Sequence, residues 1–345
     1  MASRRTCFMH VGTGKTGSSA VQYALARTRD DLERHSYQFP SFGRPLRRMQ
    51  NGQATGGNAR PVRDALRQRD VKAAIDLVRP LAEKPDHIVL SNEGLYRVDP
   101  PVLKEFCAAL QSINYVPKLL VFFRPQVEQT VSAFLQHAKS NTPGLPTDVN
   151  EYATSQDYNR KRNWHLTAQH LETAFGRENI TVEWYPAVIR RSGILKALFD
   201  WLGVPAPELA LPNINPTPGL ESLRVIQFFT EHGLGRRKLF DRFLSVAKEK
   251  GLLGAKIALE TEAAMAVYNA TRASNEMLLR EYCRDLSPDD ELKPPAPYAQ
   301  PPADELVVRQ LIEIAGRMLI EHGEDRALVE TAMEHARSSR QLGGR

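Results

Sequence analysis

Cysteine is scarce in this chain: three among 345 residues, at Cys7, Cys107 and Cys283. Their odd number and wide spacing argue against a disulfide framework and a clustered zinc site, and point to a reducing, cytoplasmic setting. Cys7 and Cys107 sit in apolar patterns and are expected in the core. No apolar run is long enough to span a bilayer, so stable membrane insertion is not expected. The opening MASRRTCFMHVG has arginines but no apolar signal core or cleavage site. No group of Cys, His or paired carboxylates has metal-ligand spacing, so no metal is expected. Internal repeats are missing too, as are zinc-finger, RNA-sheet and helix-turn-helix signatures, so nucleic acid is not an expected partner. A hydrophobic share of 42% and a charged share of 25% describe an ordinary globular chain, long enough for one large domain or two.

What is present begins at Cys7. Cys7-Phe8-Met9-His10-Val11 reads as a buried parallel strand. Gly12-Thr13-Gly14-Lys15-Thr16-Gly17-Ser18-Ser19 follows as a small-residue turn. Ala20, Val21, Ala24 and Leu25 then repeat at helical spacing. A strand, a glycine-rich turn with a lysine and a helix together make a phosphate cradle. Glycines let the backbone approach, N–H groups at the helix start face the anion, and lysine adds charge.

Two kinds of cradle compete. Gly14-Lys15-Thr16 matches the end of a Walker A loop, but the opening glycine would fall at Met9. A Walker ATPase also wants an apolar strand ending in Asp to help hold Mg²⁺. Here Leu119-Leu120-Val121-Phe122-Phe123 ends in Arg124, and Ile88-Val89-Leu90 ends in Ser91-Asn92-Glu93. Arginine at a strand end binds anions, not metal. A nucleotide kinase or ATPase with a degenerate loop is therefore the alternative reading. A non-catalytic nucleotide- or partner-binding descendant is a third.

The segment HVGTGKTGSS is similar to the 5′-phosphosulfate loop of sulfotransferases that use 3′-phosphoadenosine 5′-phosphosulfate (PAPS), its closing Lys15-Thr16-Gly17-Ser18-Ser19 matching the family's usual form. LLVFFRPQVEQTVSAFLQ, with Arg124 and Ser132, resembles the family's second signature. The bacterial branch is echoed in Ser91-Asn92-Glu93, in Phe175–Val182 followed by Tyr185, in Phe199-Asp200-Trp201-Leu202-Gly203 and in Ser274-Asn275-Glu276. The resemblance covers about residues 6–285. It implies a P-loop-like three-layer α/β fold with a central parallel sheet flanked by helices, plus a C-terminal helical region. It also implies PAPS as donor and 3′-phosphoadenosine 5′-phosphate (PAP) as product, without a metal.

The roles the resemblance implies have physical sense. Gly14, Lys15, Thr16, Gly17, Ser18 and Ser19 would bind the 5′-phosphosulfate. Arg124 and Ser132 would cage the 3′-phosphate, a guanidinium fork completed by a hydroxyl. Sulfuryl transfer needs in-line positioning, neutralisation of charge on the leaving phosphate and a base for the acceptor proton. Lys15 is the expected neutraliser and Glu93 the expected base. His137, His10 and His35 are weaker candidates for the base. Lys139 is a further candidate to reach the donor, and Asn58, Ser274 and Asn275 are site candidates that a structural role explains equally well. Trp164, Trp184 and Trp201 are expected in the core.

The acceptor is not legible. The net charge of +6 suits an anionic donor. Arg44, Arg47, Arg48, Arg60, Arg63, Arg67 and Arg69 make either a solvated basic face or an entrance for an anion. The loops at 35–60 and 141–158 are expected to wall the acceptor pocket. Their polar character favours a small polar molecule or a glycan.

The chain divides into a PAPS-binding core at 1–210 and a helical part of the same domain at 211–292. A Pro-rich linker follows at 293–302, then C-terminal helices and a tail at 303–345. Strands are expected at 6–11, 87–91, 118–124 and 180–185. Helices are expected at 17–34, 61–83, 100–112, 125–140, 159–175 and 188–203, with 35–60 an irregular loop. Alternating strands and helices imply a parallel sheet covered on both faces, with ligands at the strands' carboxyl ends. The amphipathic C-terminal segment offers a homodimer surface, and an ordinary packed helix explains it as well.

Overall fold

The computed structural model describes residues 5–43, 46–52, 56–84, 86–140, 145–156, 162–210, 217–234 and 237–338. Arg44, the helix stop expected at 141–144 and the tail beyond Ser338 lie outside the described residues.

Five parallel strands form one sheet: β1 (Arg5–Gly12), β2 (Tyr37–Gln38), β3 (His87–Ser91), β4 (Tyr115–Phe123) and β5 (Ile180–Trp184). Their order is β2-β3-β1-β4-β5. Met9 of β1 lies beside Leu90 of β3 and Leu119 of β4. Successive side chains of a strand point to opposite faces. Cys7, Met9, Val11, Leu119, Val121 and Phe123 accordingly enter one apolar core, and Phe8, Leu120 and Phe122 enter another. Burial on both faces is why these strands read as unbroken apolar runs. The fold is thus the expected three-layer α/β arrangement.

All three cysteines are buried with free thiols. Trp164 and Trp184 are buried, and Trp201 packs edge-on against Phe8. No helix among the described residues is long and apolar enough to cross a membrane.

Several expected boundaries move. The helix expected at 17–34 breaks at Thr28, whose hydroxyl bonds the Ala24 carbonyl. The segment 61–83 splits at Asp70, which caps the helix Val71–Val78 through the Ala73 N–H. The segment 188–203 becomes two helices, Tyr185–Arg191 and Ile194–Leu202. The stretch 35–60 is not wholly irregular: it contains β2 and the short helix Leu46–Gln50. Two residues of strand carry too short a pattern to be read from sequence.

The chain forms two compact units. The α/β unit comprises Met1–Pro125, Tyr158–Ile214 and Thr271–Lys293. The helical unit comprises Gln126–Asp157, Asn215–Ala270 and Pro294–Arg345. In the helical unit, the Pro-rich stretch is pinned as a strap: the Tyr298 hydroxyl donates to Lys256 O, and its backbone N–H donates to the Thr261 hydroxyl. Buried Glu221 accepts from the N–H groups of Ala255 and Asp304.

Candidate phosphate-binding site

β1 lies between β3 and β4, so its carboxyl end is flanked by theirs. Parallel strands end at one edge, and this strand order makes the β1 end a crevice between diverging connections. Gly12 closes β1, and the chain then folds back over it. A Cβ on Gly12 would stand 2.2 Å from Ser18 Oγ and 2.5 Å from Thr16 Oγ1. Gly17, the N-cap of the helix Ser18–Arg27, is left-handed at φ 74°, and a Cβ there would meet Ile194 Cδ1 at 2.9 Å. Glycine permits this turn without steric cost. No side chain caps the helix start. The first-turn N–H groups of a helix have no intrahelical acceptors, which favours an anion. Thr16 Oγ1 is buried without a hydrogen-bond partner. A buried hydroxyl in that state suits an oxygen of a bound anion.

The loop is tied to β4. Thr13 donates to the Phe122 carbonyl through both its backbone N–H and its hydroxyl. Arg124, one residue beyond β4, donates from Nη1 to the Lys15 carbonyl at 2.8 Å. Its guanidinium also lies over the Tyr185 ring, 5.5 Å from the centroid. Its own carbonyl accepts from Trp164 Nε1 at 2.9 Å. Lys15 is itself left-handed, at φ 59°, with an exposed side chain.

On the other side stands Glu93, two residues past β3. Asn92 fixes it from both directions: its N–H donates to His10 O at 3.0 Å, and its Oδ1 accepts from the Gly94 N–H at 2.7 Å. Burial pushes the Glu93 carboxyl above the usual carboxylate range. Lys15, Ser18 and Arg97 pull it back towards the ionised form. Glu93 and Lys15 therefore sense each other's charge across the loop.

Gly14, Lys15, Thr16, Gly17, Ser18, Ser19, Glu93 and Arg124 thus share one sheet edge. Ser132 is half-buried on the helix Gln126–Lys139, which belongs to the helical unit.

The weaker candidates find structural explanations. His10 is fully buried and bonds Ser91 Oγ through Nδ1 at 2.9 Å, and burial pushes its pKa down to about 3. His35 precedes β2 and so lies at the amino edge of the sheet, opposite the loop. His137 pairs with the Tyr152 hydroxyl, and buried Lys139 with Asp241 at 2.9 Å. Ser274 donates to Asn163 Oδ1, which caps the helix Trp164–Phe175.

Asn58 is a buried brace: its amide donates to Pro40 O and Val89 O and accepts from the Ser91 N–H. Beside it, Gly57 has φ 88°, and a Cβ there would stand 1.9 Å from Ser91 O. The Gly56-Gly57-Asn58 segment thereby clamps the end of β3 from which Glu93 projects. Sequence reasoning missed this clamp and the contact of Tyr185 with Arg124. A tyrosine directly after an apolar strand was the available signal.

No family model and no curated protein matches the sequence. Among solved structures, a sulfotransferase from Alicyclobacillus acidocaldarius is similar at 17% identity and a TM-score of 0.38, covering 64% of this chain and 89% of that one. The fold described above stands on the strand order and register themselves.

Proposed function

We propose that this protein is a sulfotransferase that moves a sulfuryl group from PAPS to a hydroxyl or amine of a polar acceptor. The observation that carries the reading is the glycine-lysine loop at the β1 end, set between a desolvated carboxylate and a strand-end arginine. The position where a Walker ATPase needs a metal-binding Asp holds Arg124.

The donor supplies a sulfonate group on a phosphate leaving group. First-turn N–H groups and the Thr16 hydroxyl bind its oxygens. Lys15 neutralises the negative charge that grows on the leaving phosphate. Glu93 accepts the proton of the acceptor as the acceptor oxygen or nitrogen bonds to sulfur and the bond from sulfur to the bridging phosphate oxygen breaks, releasing PAP. Its desolvated carboxyl holds a proton at higher pH than an exposed glutamate, which makes it the stronger base of the two. The resemblance gives the 3′-phosphate to Arg124 and Ser132. Arg60 and Arg63 on the helix Arg60–Arg67 pair with Asp64, so the polar acceptor, such as a carbohydrate, is inferred from the polar character of the loops at 35–60 and 141–158.

Calorimetric titration with PAP in the absence of metal, beside ATP with Mg²⁺, tests the reading. Tight PAP binding that weakens in Arg124→Ala and Ser132→Ala is the expected result. Mg²⁺-dependent ATP binding without PAP binding would replace this reading with the kinase one.

A further inference from the structure

Arg124 does more than wait at a strand end. Three contacts hold it in place: its Nη1 bond to Lys15 O at 2.8 Å, the Tyr185 ring at 5.5 Å, and the Trp164 indole on its own carbonyl at 2.9 Å. The last two anchor the arginine to β5's exit and to the helix Trp164–Phe175. The first reaches the one non-glycine residue of the loop with a left-handed backbone, Lys15 at φ 59°. A residue with a Cβ is disfavoured in that region and needs outside contacts to stay there. A guanidinium bond to its carbonyl is such a contact, and charge-assisted bonds are the strong ones.

We propose that Arg124 is the clasp of the phosphate loop: it holds the Lys15 backbone in the conformation that aims the ammonium, and so couples the 3′-phosphate end of the donor to its 5′ end. The proposal rests on the sulfotransferase reading for the identity of that donor. A guanidinium presents several N–H donors in one rigid plane. A 3′-phosphate engaging that plane orients the group that grips Lys15 O. Nucleotides with the 3′-phosphate then meet a loop already set, and the two ends are read together rather than additively. Arg124 is on this account a positioning residue for Lys15 as well as a phosphate ligand.

Two measurements on the full chain separate this from simple phosphate binding. The first needs no ligand. Endoproteinase Lys-C cuts after lysine, and exposed Lys15 is held by the clasp. Arg124→Ala is expected to speed cleavage at Lys15 several-fold relative to cleavage at Lys72, which is exposed on the helix Val71–Val78. That ratio cancels any general loss of stability.

The second is affinity for adenosine 5′-phosphosulfate, which lacks the 3′-phosphate. A clasp predicts that Arg124→Ala weakens this ligand about ten-fold, the size of one hydrogen bond to a charged group. Arg124→Lys should recover part of that loss while leaving PAP binding weak, because an ammonium can reach one carbonyl but cannot fork a phosphate. An unchanged Lys15 cleavage ratio overturns the clasp. So does an unchanged affinity for adenosine 5′-phosphosulfate in Arg124→Ala. If the wild-type chain binds neither nucleotide, the sulfotransferase reading falls, and the cleavage ratio alone decides the clasp.

Discussion

In the α/β unit, backbone groups of five strands bond one another, and every strand stops at the same edge. In the helical unit each helix bonds its own backbone, and side chains carry much of the linkage between segments: Glu221 to Ala255 and Asp304, Lys139 to Asp241, Tyr298 N–H to the Thr261 hydroxyl, beside two backbone bonds, Leu220 N–H to Ala255 O and Thr261 N–H to Tyr298 O. A sheet edge gathers loop ends whose polar groups have no ladder partner. Most of the candidate chemistry stands there, and Ser132 belongs to the helical unit together with the weaker candidates His137 and Lys139. A shared architecture of strand ends concentrates reactive groups, whereas buried side-chain bridges serve to hold elements together.

Substitutions can break or sharpen this contrast. The largest effect is expected at the sheet edge on chemistry alone. Glu93→Gln should lower turnover with PAPS and an acceptor by about 10²–10⁴-fold, the usual share of a general base. Its thermal midpoint should not fall, because burial disfavours the ionised carboxyl it removes. Wild-type kcat/KM should decline as pH falls through the raised Glu93 pKa, at higher pH than an ordinary glutamate would give. The variant should lack that acid limb. A Glu93→Gln enzyme with full turnover would move the base elsewhere.

Next in size is a change that couples fold and site. Gly57→Ala should destabilise the protein by about 2–4 kcal/mol, since a Cβ would be forced onto Ser91 O in a left-handed backbone. Nucleotide affinity, measured below the melting range, should weaken with it through the clamp on β3. Third, Glu221→Gln in the helical unit should cost about 1–3 kcal/mol by presenting an amide N–H₂ where a carboxylate accepts two N–H groups. PAP affinity at low temperature should stay unchanged. A loss of affinity in that variant would erase the distinction between the units.

The smallest effect is a pH dependence of stability centred on His10. Its folded pKa is pushed down to about 3 by burial, so the unfolded chain takes up the proton first on acidification. Stability is full above the ordinary histidine range and declines as pH falls through it. The loss should reach about 1–2 kcal/mol near pH 5, and His10→Gln should flatten the slope of chemical denaturation midpoints against pH.

The strands were legible because burial on both faces demands continuous apolar runs, as in Cys7–Val11 and Leu119–Phe123. The helix breaks at Thr28 and Asp70 were not, because a hydroxyl back-bond or an Asp cap inside a helical pattern competes with propensity only locally. His35 stood as a remote candidate for the base because it opens the stretch 35–60, expected as an irregular loop. The two-residue β2 turns that stretch around and places His35 at the opposite edge.

By itself the sequence determined the strand–loop–helix unit at Cys7–Ala26, the arginine after β4 and the glutamate after β3, because each is a local pattern of apolar continuity, glycine and charge. Tertiary structure decided which of these meet. The order β2-β3-β1-β4-β5 sets Glu93 and Arg124 on either side of Lys15, brings Tyr185 under Arg124 and locks Asn58 onto the end of β3. Strand order is a pairing between segments far apart in the chain, chosen by how whole faces bury against one another, and no local pattern encodes it.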